Sequence, residues 1–104
     1  MEKAKQIIDE FNKARDWSKF HTPENLAKSI SIEAGELLEC FQWNNEYDRQ
    51  ELIEELADVQ AYCIILAEKI GVDLEQIVLD KYKKNEKKYP VQKAKGVSTK
   101  YNKL

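Results

Sequence analysis

At 104 residues the chain has the length of one domain, with a core small enough that self-association would help it. Charged residues make up 35% and Gly plus Pro only five positions, which favours helices over a β or low-complexity chain. No apolar run approaches the ~20 residues a membrane span needs, and the opening M-E-K-A-K-Q lacks the apolar segment of a signal peptide.

The net charge of −2 conceals an asymmetry. Residues 81–104 hold nine lysines and one acid, Glu86, a local +8 that leaves −10 on the preceding eighty residues. Such a run is more often a solvated face and a frayed tail than a clamp for phosphates, and the charge alone does not decide between them. Cys40 and Cys63 are isolated, with no C-x-x-C and no neighbouring His, so neither a zinc site nor a disulfide framework is indicated. Together these features lead to the expectation of a cytoplasmic protein.

In chain order, Ala4, Ile7, Ile8, Phe11 and Ala14 follow the i, i+3, i+4, i+7 pattern of an amphipathic helix over residues 2–16. The aperiodic W-S-K-F-H-T-P follows. Thr22 then offers an N-cap and Pro23 a first helical residue, opening a second helix to about Gln42. Leu26, Ile30, Leu37, Leu38 and Phe41 are its expected core face. Gly35, unfavourable inside a helix by roughly 1 kcal/mol, would suit close approach of another backbone.

Asp48 with Glu51 resembles a capping box that opens a third helix, closed by Gly71. Leu52, Leu56, Val59, Cys63, Leu66 and Ile70 alternate steps of four and three, and Ile53, Ala57, Ile64 and Ala67 form a second stripe. A helix apolar on two sides is buried between partners, which predicts a homodimer or homotetramer. Asp73 with Gln76 caps a fourth helix that stops before Pro90. The residues after it lack periodicity and are expected to be extended or partly disordered. The predicted fold is all-α: a single domain over 1–104, an antiparallel bundle of about four helices within 2–89, and a basic tail over 90–104.

Two carboxylate pairs, Glu33/Glu36 and Glu55/Asp58, are spaced i, i+3 and border these apolar stripes. That spacing puts each pair on one helix face, where mutual repulsion and desolvation both oppose it. A cation between the helices would reverse the sign of that energy. Four carboxylates without histidine select a hard cation, Mg²⁺ with Mn²⁺ as a substitute, over zinc or copper. Mg²⁺ held in this way commonly also binds substrate phosphates, the lysines could balance the remaining charge, and Trp17, Trp43 and Tyr62 offer faces for a base. These parts describe a nucleotide hydrolase.

Plainer readings exist for each part. An isolated E-x-x-E is usually solvated surface, the tryptophans could close bundle ends, and Tyr62 could be a core residue with a wet hydroxyl. A reading from another class is a non-catalytic helical binding or assembly module, with an acidic strip for a basic partner and a lysine-rich end for nucleic acid. It predicts steep salt dependence and no need for a divalent ion. The slightly negative net charge speaks against nucleic acid, as do aromatics that, apart from Tyr82, Tyr89 and Tyr101, are not interleaved with the lysines.

The ordered motifs narrow the choice. W-S-K-F-H at Trp17–His21, P-E-N-L at Pro23–Leu26 and E-A-G-E-L-L-E-C-F-Q-W through Trp43 come first. E-L-A-D at Glu55–Asp58, V-D-L at Val72–Leu74, K-Y-K-K-N-E-K-K-Y-P at Lys81–Pro90 and the terminal K-Y-N-K-L follow. The set resembles the MazG-like all-α nucleoside triphosphate pyrophosphohydrolases, and within them the dCTP pyrophosphatase group, over nearly the whole chain. Asn102 and Lys103 depart from that group's ending.

The resemblance implies hydrolysis of a (deoxy)nucleoside triphosphate, dCTP or a related pyrimidine, between the α and β phosphates. It implies that Glu33, Glu36, Glu55 and Asp58 hold Mg²⁺ and that one glutamate, with Glu36 preferred, orients the attacking water. Trp17, His21 and Trp43 would line the base and sugar pocket and Tyr62 would sit near the sugar or metal. Lys81 and Asn85 would contact phosphates, in sites formed within a dimer or a dimer of dimers.

Overall fold

The computed structural model describes residues 1–104, and every regular element is helical: α1 (Glu2–Ala14), a 3₁₀ turn (Ser18–Phe20), α2 (Pro23–Glu39), α3 (Arg49–Ile70), α4 (Leu74–Lys88), α5 (Val91–Ala94) and a second 3₁₀ turn (Tyr101–Lys103). The all-α expectation holds. The chain forms two compact units, Met1–Val72 and Asp73–Leu104.

In the first unit the elements begin where the capping residues place them. Thr22 Oγ1 accepts from Asn25 N at 3.1 Å with Pro23 at the first helical position, and Asp48 Oδ1 accepts from Glu51 N at 3.0 Å. These side chains satisfy amide donors that a helix start leaves without partners. α1 stops two residues earlier than its pattern suggested. Asp16 takes a left-handed conformation (φ 55°), and Asp16 N and Trp17 N donate back to Lys13 O and Asn12 O, a Schellman closure made with aspartate. Gly71 (φ 76°) ends α3 in the same way, with Gly71 N and Val72 N donating to Glu68 O and Ala67 O. α2 ends at Glu39, short of Gln42, because the chain tightens into i→i+3 turns through Cys40, Phe41 and Gln42.

α2 and α3 form the central hairpin, and α1 lies along α3. Glu33 of α2 meets Glu55 and Asp58 of α3. Ser29, one turn earlier on α2, shares a cavity wall with Tyr62, one turn later on α3, so the two helices run antiparallel. The buried apolar core is only Leu26, Ile64 and Ala67, joined by the polar Asn12. Much of the expected core face is open instead. Leu38 is 72% exposed, and Ile7, Phe11, Leu56 and Ile70 are also exposed. The reason is geometric: a three-helix unit covers one stripe of α3 and one of α2, while each helix carries apolar residues over a wider arc.

In the second unit, Asp73 Oδ2 accepts from Gln76 N at 2.9 Å and starts α4. The C-terminal residues are more ordered than their lack of period suggested. Pro90 caps the one-turn α5, Tyr101 packs edge-to-face on Tyr89 (ring centres 6.1 Å apart, planes at 76°), and Lys88 Nζ lies 4.8 Å from the Tyr101 ring centre. These aromatic and cation–π contacts join residues twelve and thirteen apart, which helical periodicity does not register.

Two glycines test the backbone argument with opposite signs. Gly71→Ala should lower stability by about 1 kcal/mol, since an L side chain is strained at that φ. Gly35→Ala should raise it by about 1 kcal/mol, because a Cβ there meets nothing within 4 Å in this chain. Denaturant melts of both variants measure the difference, and a loss at Gly35 would reveal another backbone against it in an assembly.

Candidate metal and nucleotide site

The two carboxylate pairs meet across the α2–α3 seam. One oxygen from each of Glu33, Glu55 and Asp58 falls within 4.8 Å of the others, close enough for one cation to touch all three. Glu33 and Glu55 are half-buried and Asp58 is exposed. Glu36 is exposed and stands outside that trio, yet it lies beside the carboxyls of Glu33 and Glu55, where a hydrogen bond to either needs one of the pair protonated. All four expected carboxylates are thus brought together, three as a ligand set and the fourth beside it.

The electrostatics show a strained cluster. Oε2 of Glu33 and Oε2 of Glu55 are shut away from solvent and accept no hydrogen bond. Burial, then the hydrogen bond and charge of Glu36, then the charges of Asp58 and Glu55 push the Glu33 carboxyl up to about 7 from 4.5. Glu55 is raised as well, by burial first and then by Glu36, Asp58 and Glu51. No lysine or arginine forms an ion pair with any of the four. A third raised carboxyl offers a contrast. Glu68 on α3 is lifted by burial and by Asp9 of α1, but Lys5 and Lys13 partly offset the effect. Only the Glu33–Glu55 cluster lacks a cation of the chain's own. Orphaned, desolvated oxygens in an all-oxygen donor set fit a hard divalent ion.

One helical turn along the hairpin, about 5.4 Å, lies a cavity of about 270 Å³ lined by Trp17, Phe20, His21, Asn25, Ser29 and Tyr62. Tyr62 is four residues beyond Asp58 and Ser29 four before Glu33, so cavity and carboxylates are adjacent stations on the same two helices. Trp17 packs edge-to-face on Phe11 at 5.6 Å and remains 44% exposed. His21 follows the 3₁₀ turn, its amide donating to Ser18 O.

Of the expected substrate residues, Trp17, His21 and Tyr62 therefore come together. Trp43 does not join them in one chain: it lies in the α2–α3 connection, 86% exposed, because α2 unwinds before reaching it. Lys81, exposed, and Asn85, half-buried, sit one turn apart on α4 in the second unit. Phe20, Asn25 and Ser29 were missed by the sequence reading. A signal for two of them existed: Asn25, Ser29 and Glu33 follow steps of four, which extends the E-x-x-E line back toward the helix start.

The MazG-like family pattern matches residues 28–104. The chain belongs to the MazG-like family. It is 38% identical to the dCTP pyrophosphatase 1 of Mus musculus and to that of Homo sapiens, in each case over the whole chain and 67% of the relative. Among solved structures it is similar to a pyrophosphatase from Archaeoglobus fulgidus, 43% identical with a TM-score of 0.78, covering 86% of this chain and 92% of that one. The matched span takes in α3 and α4 whole and α2 from Lys28, hence all four carboxylates. Trp17, His21 and Asn25 lie ahead of it.

The raised carboxyls make stability depend on pH. An acid held above its unfolded pKa binds its proton more tightly in the fold. It favours folding below about 4.5, and that contribution is lost as pH rises through about 7. A divalent ion competes with that proton. Addition of Mg²⁺ should therefore raise the melting temperature more at pH 8 than at pH 5.5. Melts in EDTA and in Mg²⁺ at the two pH values measure this, and an equal effect at both would detach the ion from these carboxyls.

Proposed function

We propose that this protein is a Mg²⁺-dependent nucleotide pyrophosphohydrolase that cleaves a (deoxy)nucleoside triphosphate, dCTP or a related pyrimidine, to the monophosphate and pyrophosphate. The observation that carries this reading is the convergence of Glu33, Glu55 and Asp58 from facing helices, with two buried oxygens lacking any partner. The dCTP pyrophosphatase relatives support the reaction class.

Glu33, Glu55 and Asp58 would hold Mg²⁺, which supplies charge stabilisation for phosphate oxygens. Glu36, exposed and beside Glu33 and Glu55, is suited to orient water and accept its proton. The water oxygen bonds to phosphorus, the P–O bond bridging the α and β phosphates breaks, and pyrophosphate leaves. Trp17, His21 and Tyr62 would take base and sugar in the adjoining cavity, and Lys81 and Asn85 the phosphates.

The exposed Ile7, Phe11, Leu38 and Leu56 support assembly as a homodimer or homotetramer, since apolar area on this scale favours burial against a second copy. Trp43, without a partner in its own chain's cavity, would then be placed by that assembly. No helix is long and apolar enough to cross a membrane, and a cytoplasmic location fits nucleotide-pool housekeeping.

Pyrophosphate release from a panel of dNTPs and NTPs, with Mg²⁺ or EDTA, tests the reaction. Release should require the metal and favour a pyrimidine. Glu55→Gln keeps the volume and removes one ligand charge, so it should cut turnover at least about a hundredfold with helicity unchanged. Unaltered turnover in that variant would take Glu55 out of the site. Lys81→Ala should mainly raise KM for the triphosphate and leave nucleoside binding as it was. Sedimentation should give a dimer or tetramer at micromolar concentration.

A further inference from the structure

Trp17 offers the largest flat surface in the cavity wall, and it stands on an exposed rim rather than in the core. A side chain in that place keeps one rotamer only if neighbours outside the core hold it. The end of α1 supplies them. Asp16 takes its left-handed turn, Trp17 N donates to Asn12 O, and the chain folds back on the helix it has just left. The indole then meets the Phe11 ring edge-to-face, with ring centres 5.6 Å apart and planes at 74°. Phe11 is held in turn. The Arg15 guanidinium lies 3.6 Å from the centre of its ring, and Arg15 Nη1 donates to the Phe11 carbonyl at 3.0 Å.

Arg15 forms no ion pair with any acid of the chain and does not line the cavity itself. Its contacts are the ring and carbonyl of Phe11. A guanidinium suits both at once, because it is planar, weakly hydrated and carries several N–H groups in a fixed fork. We propose that Arg15 is a positioning residue for nucleotide binding, which acts through Phe11 to hold the Trp17 indole in the orientation that lines the cavity. This rests on the reading above, that the cavity takes base and sugar.

The effect falls on binding. When only a fraction of molecules carry the indole in the competent orientation, apparent affinity drops by that fraction. Once the nucleotide is seated, the carboxylates and phosphates are arranged as before, so kcat is left alone. Arg15→Gln removes the charge and the stacked plane. Arg15→Lys keeps the charge and loses the plane. Phe11→Leu removes the ring through which Arg15 acts and keeps an apolar side chain.

The measurements are KM and kcat for Mg²⁺-dependent pyrophosphate release from the dNTP that the wild-type protein cleaves best, with sedimentation of each variant. Fluorine NMR of protein labelled with 5-fluorotryptophan gives a readout that needs no turnover. The Trp17 resonance is assigned by its loss in Trp17→Phe, and the Trp43 resonance serves as the internal reference. Arg15→Gln should raise KM about threefold, the worth of one exposed cation–π contact, with kcat and assembly unchanged. It should shift the Trp17 resonance and leave that of Trp43 in place. Arg15→Lys should behave like Arg15→Gln. In a Phe11→Leu background, Arg15→Gln should add nothing further.

An unmoved Trp17 resonance or an unchanged KM in Arg15→Gln would overturn the proposal, as would a lysine variant equal to wild type. A full threefold effect in the Phe11→Leu background would also overturn it, by making Arg15 a direct ligand of the nucleotide. A changed assembly state would assign the effect to an interface between copies instead. No release from any nucleotide by the wild-type protein would remove the hydrolase reading and the role in binding with it, whereas release with an unmoved Trp17 resonance would sink this inference alone.

Discussion

The structure depends on a repulsion left in place. Glu33 and Glu55 face each other across the α2–α3 seam with an oxygen apiece shut away from solvent and without a partner. Glu36 and Asp58 add further negative charge. An apolar pair at the same positions would pack the hairpin better. The fold tolerates the cluster because the caps at Thr22 and Asp48, the Schellman closure at Gly71 and the contacts around Leu26, Ile64 and Ala67 hold the hairpin together from either side. A divalent ion held there would turn this repulsion into a source of stability and would couple folding to the chemistry of the site.

The position of the cavity follows from the same hairpin. On antiparallel helices each turn of one meets a turn of the other, so a polar stripe on α2 (Asn25, Ser29, Glu33) and one on α3 (Tyr62, Asp58, Glu55) form a ladder. Its lower rungs are carboxylates, suited to a cation and phosphates. Its upper rungs are neutral and flanked by Trp17 and Phe20, suited to a flat heterocycle. A nucleotide has the same polarity along its length. The site is thus graded from charged to aromatic by sequence spacing alone, once the two helices are docked.

Much of this was legible beforehand. The element boundaries came through wherever a cap was present, because capping is a contact between residues three apart. They slipped where the ending relied on backbone geometry, as at Asp16 and after Glu39. Both E-x-x-E and E-x-x-D were recognisable as paired charges on helix faces, and their flanking motifs carried the family resemblance. Less legible were Leu38, Leu56 and Phe11, whose apolar character marks a face without saying what covers it. In the C-terminal segment, Tyr101 finds Tyr89 and Lys88 across twelve and thirteen residues, spacings to which no helical pattern refers.

By itself the sequence determined the local quantities: helix content, starts and stops, the stripe on which each carboxylate stands, and the charge contrast between residues 1–80 and 81–104. These follow from 3.6-residue periodicity and from hydrogen bonds within a turn or two. Only the tertiary structure decided which carboxylates share one centre, that Glu36 stands beside rather than within the trio, and that Trp43 lies apart from Trp17 and His21. These depend on the register in which α2 docks on α3, and register is a property of the pair rather than of either helix.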